Sequence, residues 1–430
     1  MSKVVQWGLP TATALVVGNM IGSGIFMLPA SLAVYGKWSF VGWLVTAAGA
    51  MTMAWVFSQL SLWKPAIGGP YAYAHMAFGD GIGFLVAWGY WVSIWTGNAA
   101  ITTSLIAYLG GLFPQVTATP LRAASFGLLF IWTLTWINAR SYRAGGWVQV
   151  VTTILKTLPL VFLTLIALFV GDFQNVVAEP SEPVAPLNAI HLSVALALWA
   201  MLGLESATIP AQTIKDPNRT IPRATLIGAG SVALLYILAC AGVFMVLGAE
   251  TLQHSTAPFA DAAQAIGGSK MRVVIGLAAV ISCLGALNGW VLLQAQIPYA
   301  MAKENLLPQI FAKTNAAGIP IWGLLLSSGL ASALILANYT RGLQGLFNFS
   351  ILVSTTACLI PYLFSALALW FVPGPGKSTK ALIGSIAFGY SLYAIAGAGQ
   401  EAVYWGFLLL LSGIPILALI RIRHQKGKLK

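Results

Sequence analysis

Gly18-Asn19-Met20-Ile21-Gly22-Ser23-Gly24-Ile25-Phe26 lies inside an apolar run that begins near Thr13, and this stretch decides the reading of the whole chain. Glycine loses more backbone entropy than any other residue by staying helical, so two glycines around a serine invite a membrane-length helix to unwind. Lipid cannot satisfy the amide and carbonyl groups that unwinding exposes. Such a break is tolerated where it lines a cavity, and free amides at the start of the second half-helix form a site for a carboxylate or another anion. The competing reading of the same residues is a small-residue seam that lets two helices approach closely.

Composition supports the membrane reading. Of 430 residues, 58% are hydrophobic and 7% charged, where a soluble domain carries about 25% charged residues. Apolar stretches fall at residues 11–35, 38–60, 82–112, 123–139, 147–170, 190–212, 222–248, 272–301, 321–338, 345–371, 381–398 and 402–420, each near the length a bilayer demands. The chain is therefore expected to be an all-α integral membrane protein with twelve transmembrane helices. No short apolar segment with a small-residue cleavage site precedes the first span, which is expected to direct insertion itself.

The net charge of +12 would suit nucleic acid, but its distribution points to a membrane instead. With a cytoplasmic N-terminus, one side collects Lys3, Lys64, Arg140, Arg143, Lys215, Arg219, Arg223, Lys303, Lys313, Lys377, Lys380 and the tail residues Arg421, Arg423, Lys426, Lys428 and Lys430. The other side holds only Lys37, Arg122, Lys270, Arg272 and Arg341. This asymmetry predicts that both termini are cytoplasmic, with the basic tail setting topology beside anionic headgroups. Cys240, Cys283 and Cys358 all fall in spans, and His75, His191, His254 and His424 are scattered. That pattern predicts no disulfide framework, no metal site, no cofactor and no enzyme.

A second weak point, Leu198-Trp199-Ala200-Met201-Leu202-Gly203-Leu204-Glu205-Ser206, lies in the sixth span. If the first ten spans form two five-helix inverted repeats, the first and sixth correspond, and paired interruptions in corresponding helices point to a binding site. The halves share no detectable sequence similarity, so the repeat is read from helix order and breaks. Glu205 is the acid expected well inside the membrane, where a carboxylate must be protonated, paired or in contact with a water-filled path.

Four runs, GNMIGSGIFMLPASLAVYG, YWVSIWTGNAA, LWAMLGLESATIPAQTIKDPNRTIPRATLIG and GALNGWVLLQAQIPYAMAKENLLP, resemble the amino acid-polyamine-organocation transporter superfamily in order and spacing. Within it the chain is most similar to the bacterial basic amino acid/polyamine antiporters of the arginine/agmatine type. The resemblance implies a LeuT-type five-plus-five inverted repeat with broken helices 1 and 6. It also implies a ten-helix core over residues 1–371, two peripheral helices over 372–420, a basic tail over 421–430, and often a homodimer through the last two helices. Carried over residue by residue, it places the substrate carboxylate at Ser23 and Gly24 and the α-amino group at carbonyls of Met20, Trp199 and Leu202. Trp199 becomes a middle gate and Trp290 a stacking surface for a distal cation. Asn98, Ser93, Ile94 and Ser354 fall at the far end of the substrate, and Tyr90, Tyr362 and Glu205 at gates.

The chain departs from the arginine/agmatine pattern at three places. The side chains of Ser93 and Ile94 differ, His75 replaces an acid that the putrescine branch carries in a loop, and Lys156 stands where that antiporter has a small apolar residue. In proton-coupled and exchanging relatives a lysine at this position takes the place of a sodium ion, which implies that Lys156 reaches carbonyls near Gly18 and, with Glu205, couples transport to protons. Gly285 and Ala286 lack the hydroxyls that a sodium site needs. The implied function is alternating-access antiport of a cationic amino acid (arginine, lysine or ornithine class) with its amine product or another amino acid, across a bacterial inner membrane. The alternative is proton-coupled uptake or exchange of neutral amino acids, favoured by Lys156 and by the absence of a distal carboxylate. The expected partners are a small amino acid or amine and the lipid bilayer, with no nucleic acid.

Overall fold

The computed structural model describes residues 7–63, 69–140, 145–180, 183–209, 214–316 and 318–428, with backbone alone for 145–151 and 423–428. Lys3, Lys64, Arg143 and Lys430, and the side chains of Arg423, His424, Lys426 and Lys428, lie outside the described residues.

The described chain is helical almost throughout. The first span is two helices, α1 (Leu9–Met20) and α2 (Gly24–Ala33), separated by the non-helical residues 21–23. After them come α3 (Trp38–Trp63), α4 (Pro70–Leu112), α5 (Pro120–Arg140), α6 (Gly145–Val170) and α7 (Pro186–Met201). A non-helical stretch and a 3-10 turn over Ser206–Thr208 follow α7, so the sixth span is interrupted as well. The rest is α8 (Pro217–Leu252), α9 (Pro258–Lys303), α10 (Ile321–Asn338), α11 (Gly342–Ala368), α12 (Lys377–Gly397), α13 (Gln400–Leu411) and α14 (Gly413–Lys428). Among the described residues, ten helical segments are long and apolar enough to cross a membrane, Ile321–Phe371 counting as one although it holds α10 and α11.

Two of the spans read from hydropathy extend further than composition indicated. α4 begins at Pro70 and bends at Gly79 (φ 76°), so residues 70–78 form a separate short helix before the long one. His75 therefore sits in a helix rather than a loop, stacked on Tyr71 and 2.8 Å from Asp80. α9 likewise begins at Pro258 and bends at Gly268. The last apolar stretch is divided between α13 and α14.

Burial orders the elements from the centre outward. The apolar window of Leu9–Ala33 is 89% buried inside the protein and that of Gln400–Ile422 only 22%. Helices α1, α2 and α7 occupy the middle, enclosed by α4, α6, α8, α9 and α11, while α12 to α14 pack on the outside against α3, α4, α7 and α11. An amphipathic face is unnecessary in lipid, so what separates the central helices from the outer ones is small and polar residues suited to close packing.

Candidate functional site

The two interruptions meet. Gly203 holds φ at +101°, a conformation that only glycine adopts without strain, and a Cβ there would lie 3.3 Å from the backbone of Asn19, in the last turn of α1 beside the other break. A cavity of about 40 Å³ lies beside this junction, bordered by Met20, Ser23, Gly24, Trp199, Leu202 and Glu205 from the breaks. From α4 it is lined by Tyr90, Ser93, Ile94, Gly97 and Ile101, with Trp290 of α9 and Ser354 and Cys358 of α11 closing it. At about 10–15 Å³ per water, this is room for a few waters and not for an amino acid. Occupation by a larger molecule requires the aromatic walls to move.

Each break exposes backbone groups, and side chains from neighbouring helices take up several of them. Lys156 is fully buried on α6 and donates to the carbonyls of Gly18, at 2.5 Å, and Ile21. It does not snorkel to an interface. Tyr236 of α8 donates to the Met20 carbonyl at 2.6 Å, and Ser282 of α9 reaches the Gly22 carbonyl at 3.5 Å. In the second break, the fully buried Glu205 accepts hydrogen bonds from Tyr90 at 2.7 Å, Tyr362 at 2.6 Å and the Gly203 amide at 3.2 Å. The carboxylate is thus paired with hydroxyl donors from α4 and α11.

The residues assigned from the resemblance divide into those that border the cavity and those behind its wall. Met20, Ser23, Gly24, Ser93, Ile94, Trp199, Leu202, Trp290, Ser354, Tyr90 and Glu205 border it; Asn98, Lys156 and Tyr362 are buried outside its lining. The Ser23 hydroxyl is buried without a partner. Two of the carbonyls assigned to the substrate amino group already accept a bond, Met20 from Tyr236 and Trp199 from the Leu202 amide at 3.2 Å, so each has one lone pair left. The Ser93 carbonyl accepts from Ser354 at 2.7 Å, while the single Thr96 hydrogen has its shorter contact with the Val92 carbonyl, at 2.8 Å against 3.1 Å to Ser93. In this conformation the Ser354 hydroxyl is spent on the Ser93 carbonyl and the Ser93 hydroxyl on the Tyr90 carbonyl, so neither hydrogen points at an occupant.

Several contributors carried no clear signal in the sequence. Phe347 of α11 meets Trp199 edge to face, with ring centroids 5.7 Å apart. The next residue, Asn348, accepts from Ser31 of α2 at 2.7 Å. Ser31 and Asn348 also border a second cavity, of about 400 Å³, together with Tyr35, His254 and Gln344, which is read below as a vestibule. Tyr236 lies mid-helix among apolar residues and looks like core until its hydroxyl is seen on the broken helix. Gln294 is the one residue of this group with a legible hint, a glutamine in an apolar span one turn after Trp290.

Among the described residues no group of three or more His, Cys, Asp or Glu stands close enough to hold a metal ion.

The chain belongs to the amino acid permease family, whose model matches residues 8–411. It is 33% identical to a Bacillus subtilis (strain 168) protein provisionally designated an arginine/ornithine antiporter, covering 100% of each chain. It is 30% identical to the putrescine transporter PotE of Escherichia coli (strain K12), over 99% of this chain and 98% of the relative. It is 32% identical to the cadaverine/lysine antiporter of the same strain, over 99% and 97%. Among solved structures, MhsT in complex with L-phenylalanine superposes with a TM-score of 0.60 at 16% identity, covering 94% of this chain and 98% of that one. The all-helical architecture is thus shared with MhsT.

Proposed function

We propose that this protein is a secondary active antiporter that exchanges a cationic amino acid of the arginine, lysine or ornithine class for its amine product or for another amino acid, by alternating access. The observation that carries the reading is the amide end of α2, with Ser23 and Gly24 bordering an aromatic-walled cavity at the junction of two interrupted helices. A helix N-terminus takes a carboxylate, and an indole face takes a cation. The full-length relatives named for arginine, ornithine, lysine, cadaverine and putrescine support a cationic substrate.

In this reading the Ser23 and Gly24 amides take the carboxylate, and the remaining lone pairs of Met20, Trp199 and Leu202 take the α-amino group. Trp199, resting on Phe347, is the gate toward the vestibule, and Trp290 stacks on the distal cation. Tyr90, Tyr362 and Glu205 form a latch that joins α4 and α11 to the sixth-span break. Lys156 fills the place of a sodium ion and, with Glu205, couples exchange to protons. Asn98, Ser93, Ile94 and Ser354 surround the distal end, once Ser354 releases the Ser93 carbonyl.

A second reading, proton-coupled movement of neutral amino acids, is favoured by one observation: Ser93, Ile94, Gly97, Ile101 and Ser354 bring no carboxylate to the distal wall.

The chain crosses the membrane twelve times, α4 and the α10/α11 pair completing the count, with both termini cytoplasmic. The Lys/Arg count supports this orientation, with five such residues assigned to the outer side against sixteen to the inner. Residues 1–371 form the transport core, α12 to α14 form the peripheral pair, and a homodimer forms through them. Transport rather than catalysis is its activity.

Proteoliposomes loaded with lysine, ornithine, arginine or the corresponding amines, and diluted into a radiolabelled member of the set, test the reading. Saturable counterflow with cationic amino acids, independent of sodium, is the expected result. Exchange restricted to neutral amino acids selects the second reading, and the absence of any saturable flux rejects both.

A further inference from the structure

Behind the cavity wall, four helices are joined by hydrogen bonds whose direction is fixed at the far end. Thr135 of α5 donates its single hydroxyl hydrogen to the Ile131 carbonyl at 2.7 Å. Ser328 of α10 lies 2.7 Å from the Thr135 oxygen, and must be the donor in that pair, because the Thr135 hydrogen is already committed. Ser328 Oγ therefore accepts from Gln294 Nε2 of α9 at 2.7 Å. The same nitrogen reaches the Leu324 carbonyl at 3.3 Å, a group that only accepts. Amide oxygen and nitrogen are distinguished by such networks, and here both partners require the nitrogen on the α10 side.

Gln294 Oε1 is consequently turned toward α4, where it accepts from Asn98 Nδ2 at 2.8 Å. This orients the Asn98 amide in turn and leaves its Oδ1 outside the relay. Asn98 is 1% exposed, and Oδ1 is buried without a partner. Buried acceptors are rarely left so. Asn98 lies one helical turn from both Ile94 and Ile101, which line the cavity, and Gln294 lies one turn from Trp290, which also lines it.

We infer that Gln294 is a positioning residue for specificity: it locks the Asn98 amide so that an acceptor, and never a donor, is offered to the distal end of the substrate. The site thereby selects solutes that carry a distal N–H donor, such as an ammonium, over isosteres that lack one. This inference rests on the transport reading above. Four neutral residues thus favour a cation without a carboxylate in the pocket, since a free asparagine presents its amine as readily as its oxygen.

Binding to the purified full-length protein tests this with two pairs that differ in the terminal ammonium, lysine against norleucine and ornithine against norvaline. Gln294→Leu frees the Asn98 amide, and the preference for the ammonium member should fall at least 10-fold while affinity for the apolar member stays within two-fold. Adding Asn98→Asp to Gln294→Leu should restore the preference, because a carboxylate offers an acceptor in either orientation. Ser328→Ala removes one of the two groups that orient Gln294 and should lower the preference by a smaller factor; it also serves where the leucine variant does not fold. An unchanged ratio in the single variants, equal losses for both members of a pair, or no rescue by aspartate overturns the inference. A wild-type protein that binds neither lysine nor ornithine rejects the transport reading itself, whereas binding with an unmoved ratio rejects only the relay.

Discussion

The two helix interruptions at the centre of this protein are held by side chains of opposite kind, a base at one and an acid at the other. At the first, α1 ends by exposing carbonyls, and a cation, the buried Lys156, bonds two of them from α6 while Tyr236 of α8 takes a third. At the second, an acid belonging to the break itself, Glu205, is held by hydroxyls on α4 and α11. The end of a helix carries partial negative charge, which a lysine satisfies as a metal ion would. A carboxylate in the interior needs donors, and tyrosines supply them without adding charge. The first break is therefore tied to α6 and α8, and the second to α4 and α11, so movement of either half of the bundle bears on a different break.

The comparison is broken most severely by Lys156→Ala. Removing the cation strands the Gly18 and Ile21 carbonyls in a dry interior, at about 1–3 kcal/mol for each unsatisfied group. Exchange in proteoliposomes should fall about 30-fold or more, with lower thermal stability in detergent, since two such groups amount to about 2–6 kcal/mol and 1.36 kcal/mol is a factor of ten. Retention of the wild-type rate and pH dependence would show that the lysine is not part of the coupling.

Gly24→Val should come next. A Cβ at Gly24 already lies 3.0 Å from the Trp199 ring and 3.1 Å from Ala200, so a branched side chain pushes the gate and covers the α2 amides. Amino acid binding is expected to disappear while the protein still inserts, and an amine without a carboxylate should lose less affinity. Equal losses for the two ligands would show that the amides do not read a carboxylate.

The second break is probed more gently. Glu205→Gln keeps one acceptor for two tyrosine hydroxyls, and Tyr362→Phe removes one donor. Each should slow exchange by about 10-fold, the scale of one hydrogen bond to a charged group. The double variant should lose less than the product of the two, because both changes cut the same contact. Full additivity, measured as initial exchange rates, would mean that Glu205 and Tyr362 act independently.

Trp290→Leu should have the smallest effect, weakening a cationic substrate by about 0.5–2 kcal/mol through loss of the cation–aromatic contact. Affinity for a neutral amino acid of similar length should change less. Unaltered affinity for every accepted substrate would remove the indole from the distal site.

Much of the first break was legible because glycine spacing is a local property. Gly22-Ser23-Gly24 announces an interruption wherever it falls in an apolar run, and the observed helix ends at Met20 and resumes at Gly24. Gly203 marked the second in the same way. The location of Lys156 four spans from Gly18 could be given a meaning only through the family resemblance, since nothing local to Thr152–Pro159 says which carbonyls its amine meets. Asn98 is legible as a polar residue for the distal end, whereas its bond to Gln294 has no local signal.

By itself, the sequence determined the class of protein, the apolar spans, the two weak points and the acid and lysine that had to be buried, because hydropathy and backbone freedom depend on residues close in the chain. The tertiary structure alone decided that the breaks abut at Asn19 and Gly203, that Tyr90 and Tyr362 converge on one carboxylate, and that Ser354 closes on Ser93. It alone also decided which way the Asn98 amide faces. Those outcomes depend on contacts between residues 30 to 261 positions apart in the chain, and a bond direction inherited through four helices has no local trace.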